Sequence, residues 1–197
     1  MKMISEIILA SGSPRRKELL RQIQIEPIVE PSGADETSDI KEPDGFVKEL
    51  SRRKCLDIAN KHTNGVILGA DTVVAIDGKI LGKPENEDDA KKMIELIQGR
   101  AHHVYTGVTL AKKENGRLKS TVTFCEGTEV LLEKISREEI DEYVATGEPL
   151  DKAGAYAVQG IFAKFVKGIK GDYSNVVGLP LAAVYANLKR MLGGDNI

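Results

Sequence analysis

Val66-Ile67-Leu68-Gly69-Ala70-Asp71-Thr72-Val73-Val74-Ala75-Ile76 runs directly into Asp77-Gly78-Lys79-Ile80-Leu81. The first segment reads as an apolar strand. Asp-Gly supplies the two left-handed positions of a tight hairpin, so Lys79-Ile80-Leu81 is expected to return antiparallel. Working outward, Ile4 to Ala10 reads as a buried strand. Pro14 to Ile23 reads as a helix, with Ser13 as N-cap and Pro14 at its first position. Glu26 to Glu30 reads as a second strand, Gly33 to Asp44 as a polar loop and Phe46 to His62 as a helix. Downstream, Asn86 is placed to cap a helix over Glu87 to Gln98. Its opening acids Glu87, Asp88 and Asp89 suit the helix dipole. Val104, Thr106, Val108 and Leu110 alternate as a strand, Asn115-Gly116 signals another hairpin, and Val122 to Leu132 continues as strand. Helices are expected over Arg137 to Ala145 and Leu181 to Leu192, the last stopped by Gly193. Strands and helices interleave, but the hairpins demand antiparallel pairs. The expected class is therefore α/β with a mixed sheet flanked by helices, not a pure doubly wound sheet.

With 197 residues, of which 41% are hydrophobic, the chain suits one domain over 1–197, built as two lobes sharing a core. Disorder is unexpected at that composition. The charges nearly cancel, 28 Lys+Arg against 30 Asp+Glu, which argues against a nucleic-acid or membrane-surface partner. Aromatic residues are only 5% and Trp is absent, a poor basis for stacking single-stranded bases. Cys55 and Cys125 lie far apart, form no CxxC and read as reduced thiols of a cytoplasmic protein. With His62, His102 and His103 they make no zinc site at normal spacing. The Glu6 break and Arg15-Arg16-Lys17 exclude a secretory signal at the start, and no stretch reaches transmembrane length.

Several residues fit a structural role incompletely. Ala10-Ser11-Gly12-Ser13-Pro14-Arg15-Arg16 joins a strand to a helix N-terminus, where free N–H groups favour an anion. Ser11 and Ser13 offer hydroxyls, and Arg15 and Arg16 offer planar forks for phosphate oxygens. An ordinary capped helix with solvated arginines reads equally well, and no Walker A pattern is present. Asp71 lies in an apolar strand and needs a cation, a metal or N–H donors; a functionless buried ion pair would also serve. On the Phe46 helix, Lys54 falls near the centre of the arc of Phe46, Val47, Leu50 and Ile58. It either points inward to an anion, such as phosphate or Asp71, or snorkels past the core. Gly82-Lys83-Pro84 alone reads as a surface turn, Asp35-Glu36 as solvated acids, and Asn175 to Pro180 as structural. Gln159 stands alone among small residues in Gly154 to Gly160, where a ligand or backbone can come close. No GxSxG elbow supports a serine hydrolase. These residues together describe an α/β enzyme with cations and a carboxylate set for phosphate and metal.

In series, Leu9 to Leu20, Gly69 to Val74, Gly82-Lys83-Pro84, Val104 to Val108, Tyr143 to Gly160 and Asn175 to Leu181 resemble the Maf family of septum-formation-inhibitor-like nucleotide pyrophosphatases. Thr146-Gly147-Glu148-Pro149 and Asp151-Lys152-Ala153-Gly154 belong to this match. The resemblance covers nearly the whole chain. It implies an elongated, twisted mixed sheet with two lobes around a cleft. It implies hydrolysis of a nucleoside triphosphate to monophosphate and pyrophosphate with a divalent metal. Arg15, Thr72 and Gln159 match the dTTP/UTP branch; the branch preferring 7-methyl-GTP is less similar at all three positions. Ser174 departs from the family, where an aromatic is frequent.

From this resemblance Asp71 is the expected proton acceptor for water attacking the α-phosphorus. Glu36 and Asp71 are the expected ligands of Mg²⁺ or Mn²⁺. Arg15, Lys54 and Lys83 are expected to neutralise the triphosphate, cradled by the turn from Ser11 through Ser13 to Arg16. The Gln159 amide matches the N3–H and O4 of uracil or thymine, and flipped would match cytosine, so a neighbour must fix it; Thr72 is the candidate. The alternatives are a non-catalytic nucleotide-binding regulator of cell division and a housecleaning enzyme for modified pyrimidine nucleotides. A homodimer is left open.

Overall fold

The computed structural model describes residues 7–193, so Ile4 to Glu6 of the first expected strand lie outside the described residues. The elements run β1 (Ile7–Leu9), α1 (Pro14–Gln22), β2 (Ile28–Val29), α2 (Pro43–Ala59), β3 (Gly65–Ile76) and β4 (Lys79–Leu81). They continue α3 (Glu87–Ile97), β5 (Ala101–Glu114), β6 (Arg117–Leu132) and α4 (Arg137–Val144). Three 3-10 turns follow at Glu148–Asp151, Ala153–Ala155 and Ile161–Phe165, then β7 (Val166–Lys170), α5 (Tyr173–Val177) and α6 (Leu181–Met191). The sheet has seven strands in the order β2-β1-β3-β5-β6-β7, with β4 on β3. β1 is parallel to β2 and β3, joined through helices α1 and α2, while the remaining pairs are antiparallel. The mixed α/β sheet flanked by helices is therefore the observed class.

Both expected hairpins form. Asp77 and Gly78 have φ of 51° and 72°, and Asn115 and Gly116 have 51° and 75°, as a two-residue loop with both positions left-handed requires. Asn86 caps α3 by accepting from Asp89 N at 2.9 Å. Ser136 and Glu139 make a full capping box on α4. Ser13 differs: it takes the N-cap position of α1, but its side chain makes no capping bond. Pro180 stands just outside α6, which opens on Leu181 as expected. The departure at Ser174 has a local use, since its Oγ donates to Asp172 at 2.6 Å and accepts from Leu181 N at 2.9 Å.

The register of β3 makes the site. β5 pairs with β3 from Gly65 to Ala75 along one edge. On the other edge β1 pairs only with Val66 to Leu68, and β4 only with Val74 to Ile76. Residues 69–73 are left without a strand neighbour on that side, and Asp71 is at the centre of the gap. Alternate residues of a strand face opposite sides of the sheet. Gly69 and Asp71 face α2, and a Cβ on Gly69 would lie 2.4 Å from Ser51 O. A Cβ on Gly107, the pairing partner of Asp71, would lie 2.2 Å from Val47 O. These glycines bring α2 onto the sheet beside Asp71. Ala70, Thr72 and Val74 face the other side. There one apolar cluster gathers around Leu9, Leu20, Ala70 and Val184, and another around Val74, Ile94, Tyr143 and Phe162. Thr72 lies at the seam between them.

Candidate active site

A cavity of about 500 Å³ opens at this gap. It is lined by Ser11, Ser13, Arg15, Arg16, Glu36, Lys54, Asp71, Thr72, Lys83 and Gln159, so every expected site residue borders it. The size suits a small organic ligand.

On the α2 face, Lys54 Nζ donates to Asp71 Oδ1 at 2.7 Å and lies 2.8 Å from Glu36 Oε1. The lysine therefore points inward and does not snorkel. It and Asp71 are buried, and each compensates the desolvated charge of the other. Glu36 reaches in from the loop before α2. Burial pushes its carboxyl up, but the Lys54 hydrogen bond and charge, with Lys83 and Arg16 beyond, outweigh this and hold it below its usual range. Asp71 Oδ2 and Glu36 Oε2 make no hydrogen bond among the described residues. No group of three or more His, Cys, Asp or Glu suited to a metal occurs among the described residues. The donor set is thus two carboxylates. That fits Mg²⁺ or Mn²⁺ completed by phosphate oxygens and water, and does not fit an all-protein cage.

On the opposite face, Arg16 is the surprise. It is buried, and its guanidinium donates to Gly178 O at 2.9 Å, Ser11 Oγ at 2.9 Å and Thr72 Oγ1 at 3.0 Å. Burial lowers its pKa, partly offset by Asp71. It holds three walls of the cavity together, with each of its three nitrogens engaged in one bond. Thr72 Oγ1 also bonds Thr106 Oγ1 at 2.9 Å. No hydrogen bond joins Thr72 to Gln159 among the described residues, so the expected orienting contact is absent. Gln159 is exposed at the cavity rim. Lys83 is also exposed there and forms no ion pair among the described residues.

Arg15 is half-buried and pairs with Asp151 at 3.3 Å across the cavity mouth. Lys152 lines the cavity and bonds Glu148 O at 3.4 Å and Asp151. Asp151 and Lys152 carried no individual role in the sequence reading. Their signal was two opposite charges beside small residues, which single-chain patterns do not resolve. Asn175 to Pro180, read as structural, also borders the site. Val176, Val177 and Gly178 line the cavity, and Gly178 at φ 128° turns its carbonyl to Arg16. Both cysteines are free, and burial pushes Cys55 up to about 12 and Cys125 up to about 11, so neither is an activated nucleophile.

Residues 6–191 match the family described as Maf-like protein. A dTTP/UTP pyrophosphatase of Agathobacter rectalis is 45% identical, covering 95% of this chain and 98% of the relative. One from Lachnoclostridium phytofermentans is 48% identical, covering 94% of each. One from Bacillus mycoides is 49% identical, covering 94% of this chain and 95% of the relative. A solved nucleoside-triphosphatase (dITP/XTP pyrophosphatase) from Mycobacterium abscessus covers 98% of this chain with a TM-score of 0.44 at 10% identity, a likeness too slight to argue from. Because the match extends through both apolar clusters and every strand of the sheet, the chain belongs to the Maf family.

Proposed function

We propose that this chain hydrolyses dTTP and UTP to the monophosphate and pyrophosphate. The observation that carries the reading is Asp71 in the β3 gap, held by Lys54 and facing a cavity rimmed with cations. The names of the relatives point to the same reaction. Water forms a bond to the α-phosphorus as the bond from that phosphorus to the bridging oxygen of the leaving pyrophosphate breaks. Asp71 accepts the water proton on Oδ2. Lys54 offsets the charge of Asp71 and Glu36, and Arg15 and Lys83 face the negative triphosphate. The free N–H groups at the start of α1 add donors for its oxygens. Arg16 acts one layer back, holding Ser11 and Thr72 in place. Mg²⁺ or Mn²⁺ would be held by Glu36 and Asp71 together with phosphate oxygens. When bound, it would neutralise charge and make the attacking water more acidic.

In the same reading, residues 1–197 work as one unit whose lobes are the apolar clusters on either side of Thr72. The setting is the cytoplasm. No described helix is long and apolar enough to cross a membrane. The test is Asp71→Asn assayed with UTP and Mg²⁺. Loss of UMP and pyrophosphate release by at least about 100-fold in a folded variant is expected, as for a lost general base. Turnover near that of the wild type would refute the role.

A further inference from the structure

Glu148 lies outside the phosphate cavity, yet its carboxylate reaches the segment that presents Gln159. Oε2 accepts from Ile161 N at 3.1 Å, and Oε1 accepts from the Tyr143 hydroxyl at 3.2 Å. Burial, with the Glu148 charge added, pushes the Tyr143 phenol up, so it stays a donor. The carboxylate thereby ties the end of α4 to the backbone two residues past Gln159. Its own position is fixed from behind. Glu148 N donates to Thr146 Oγ1 at 3.2 Å, which in turn donates to Tyr143 O at 2.6 Å.

Gly160 sits between Gln159 and Ile161 with φ 101°, a region nearly reserved for glycine. A Cβ there would lie 2.8 Å from Glu148 Oε2 and 2.9 Å from Oε1. The glycine is therefore what lets the carboxylate close on the turn. The Gln159 amide makes no hydrogen bond among the described residues, so its place at the rim is inherited from this backbone. A second anchor follows at Phe162, fully buried and 4.9 Å from the Tyr143 ring. Removing the Glu148 carboxylate would thus loosen residues 159–161 without unseating the core.

We propose that Glu148 is a positioning residue for base selection, clamping the Gln159-Gly160-Ile161 turn so that the amide meets the pyrimidine edge in one place. This rests on Gln159 reading the base of a pyrimidine nucleoside triphosphate. A site that matches one edge well rejects another by leaving polar groups unpaired, and that penalty needs a fixed amide.

The experiment measures kcat and KM for UTP and CTP, by pyrophosphate release, in the wild type, Glu148→Ala, Glu148→Gln, Gln159→Ala and the double variant Glu148→Ala/Gln159→Ala. Glu148→Ala is expected to narrow the UTP:CTP ratio of kcat/KM by about tenfold, mostly through KM for UTP, with thermal stability kept. Glu148→Gln, which retains an acceptor for Ile161 N, should restore most of the ratio. The double variant should select no worse than Gln159→Ala alone. Gly160→Ala, whose Cβ would push the Glu148 carboxylate off the turn, should narrow the ratio while the Glu148 side chain is kept, which gives a second handle if Glu148→Ala folds poorly. If Gln159→Ala collapses the ratio while Glu148→Ala and Gly160→Ala leave it within twofold, the clamp is wrong and the base reading stands. If Gln159→Ala leaves the ratio unchanged, the base reading itself fails and the clamp goes with it.

Discussion

Lys54 Nζ and Asp71 Oδ1 meet at 2.7 Å, joining a helix to a strand 17 residues further along the chain. The two glycines under α2 make this distance reachable, and the absent strand neighbour at residues 69–73 leaves the other side of Asp71 open to a ligand. A buried ion pair elsewhere would be sealed by a neighbouring strand. Here half of it faces a cavity.

Lys54→Met preserves bulk but strands a buried carboxylate. Losing one partner of such a pair costs roughly 3 kcal/mol. Urea unfolding should show a drop of that order, and Lys54→Met/Asp71→Asn should recover more than half of it. A single variant as stable as the wild type would show that the pair is not needed to hold Asp71.

The Arg15–Asp151 pair is different, with side chains 29% and 63% exposed. Such pairs contribute less than about 1 kcal/mol. Asp151→Asn should leave the melting temperature nearly unchanged and free Arg15 for the triphosphate, lowering KM by about threefold at low salt. A KM that rises would mean that Asp151 helps binding.

EDTA should abolish turnover, and Mg²⁺ or Mn²⁺ should restore it. On the proposed metal site, Glu36→Gln would remove one of two charged oxygen donors. It should raise the Mg²⁺ concentration for half-maximal activity by about tenfold. Full activity in chelator would take the metal out of the reaction.

His102 is buried, its Nε2 lies 2.7 Å from the Tyr156 hydroxyl, and Nδ1 has no partner among the described residues. Burial, with His103 nearby, lowers its pKa to about 4. The unfolded imidazole protonates near its usual value of about 6.5. Between those values the unfolded chain binds the extra proton, so this contribution is complete above about pH 6.5 and is lost toward pH 4, some 3 kcal/mol in all. Unfolding free energies measured from pH 7 to 4 should fall accordingly, with a flatter profile in His102→Phe. Equal slopes in both proteins would refute the assignment.

Much of the architecture is legible in the sequence. Asp77-Gly78 and Asn115-Gly116 declare their turns because φ > 0 at consecutive positions is a local demand. Asn86 declares a helix start for a similar reason. Lys54 stood out because a helical arc puts it on the apolar face, though inward and snorkelling placements read equally well there, and Asp71 because a carboxylate in an apolar strand needs a partner. The 3-10 turns between α4 and β7, and β7 itself, were not legible. Their conformations follow from packing around Phe162 and Phe165, with no periodic pattern of their own.

From the chain alone came the mixed sheet, the hairpins, and the need of Lys54 and Asp71 for opposite charge. Those follow from dihedral limits and from alternation over a few residues. That the two side chains meet each other is decided by the docking of α2 on β3. Tertiary structure alone decided that Arg16 is a buried brace. Its hydrogen bond to Gly178 O spans 162 residues, and no local pattern encodes so distant a partner. It also decided that Asp71 lies in an open gap, because which strands stop short of it is set by the lengths of β1 and β4 once all are docked on β3.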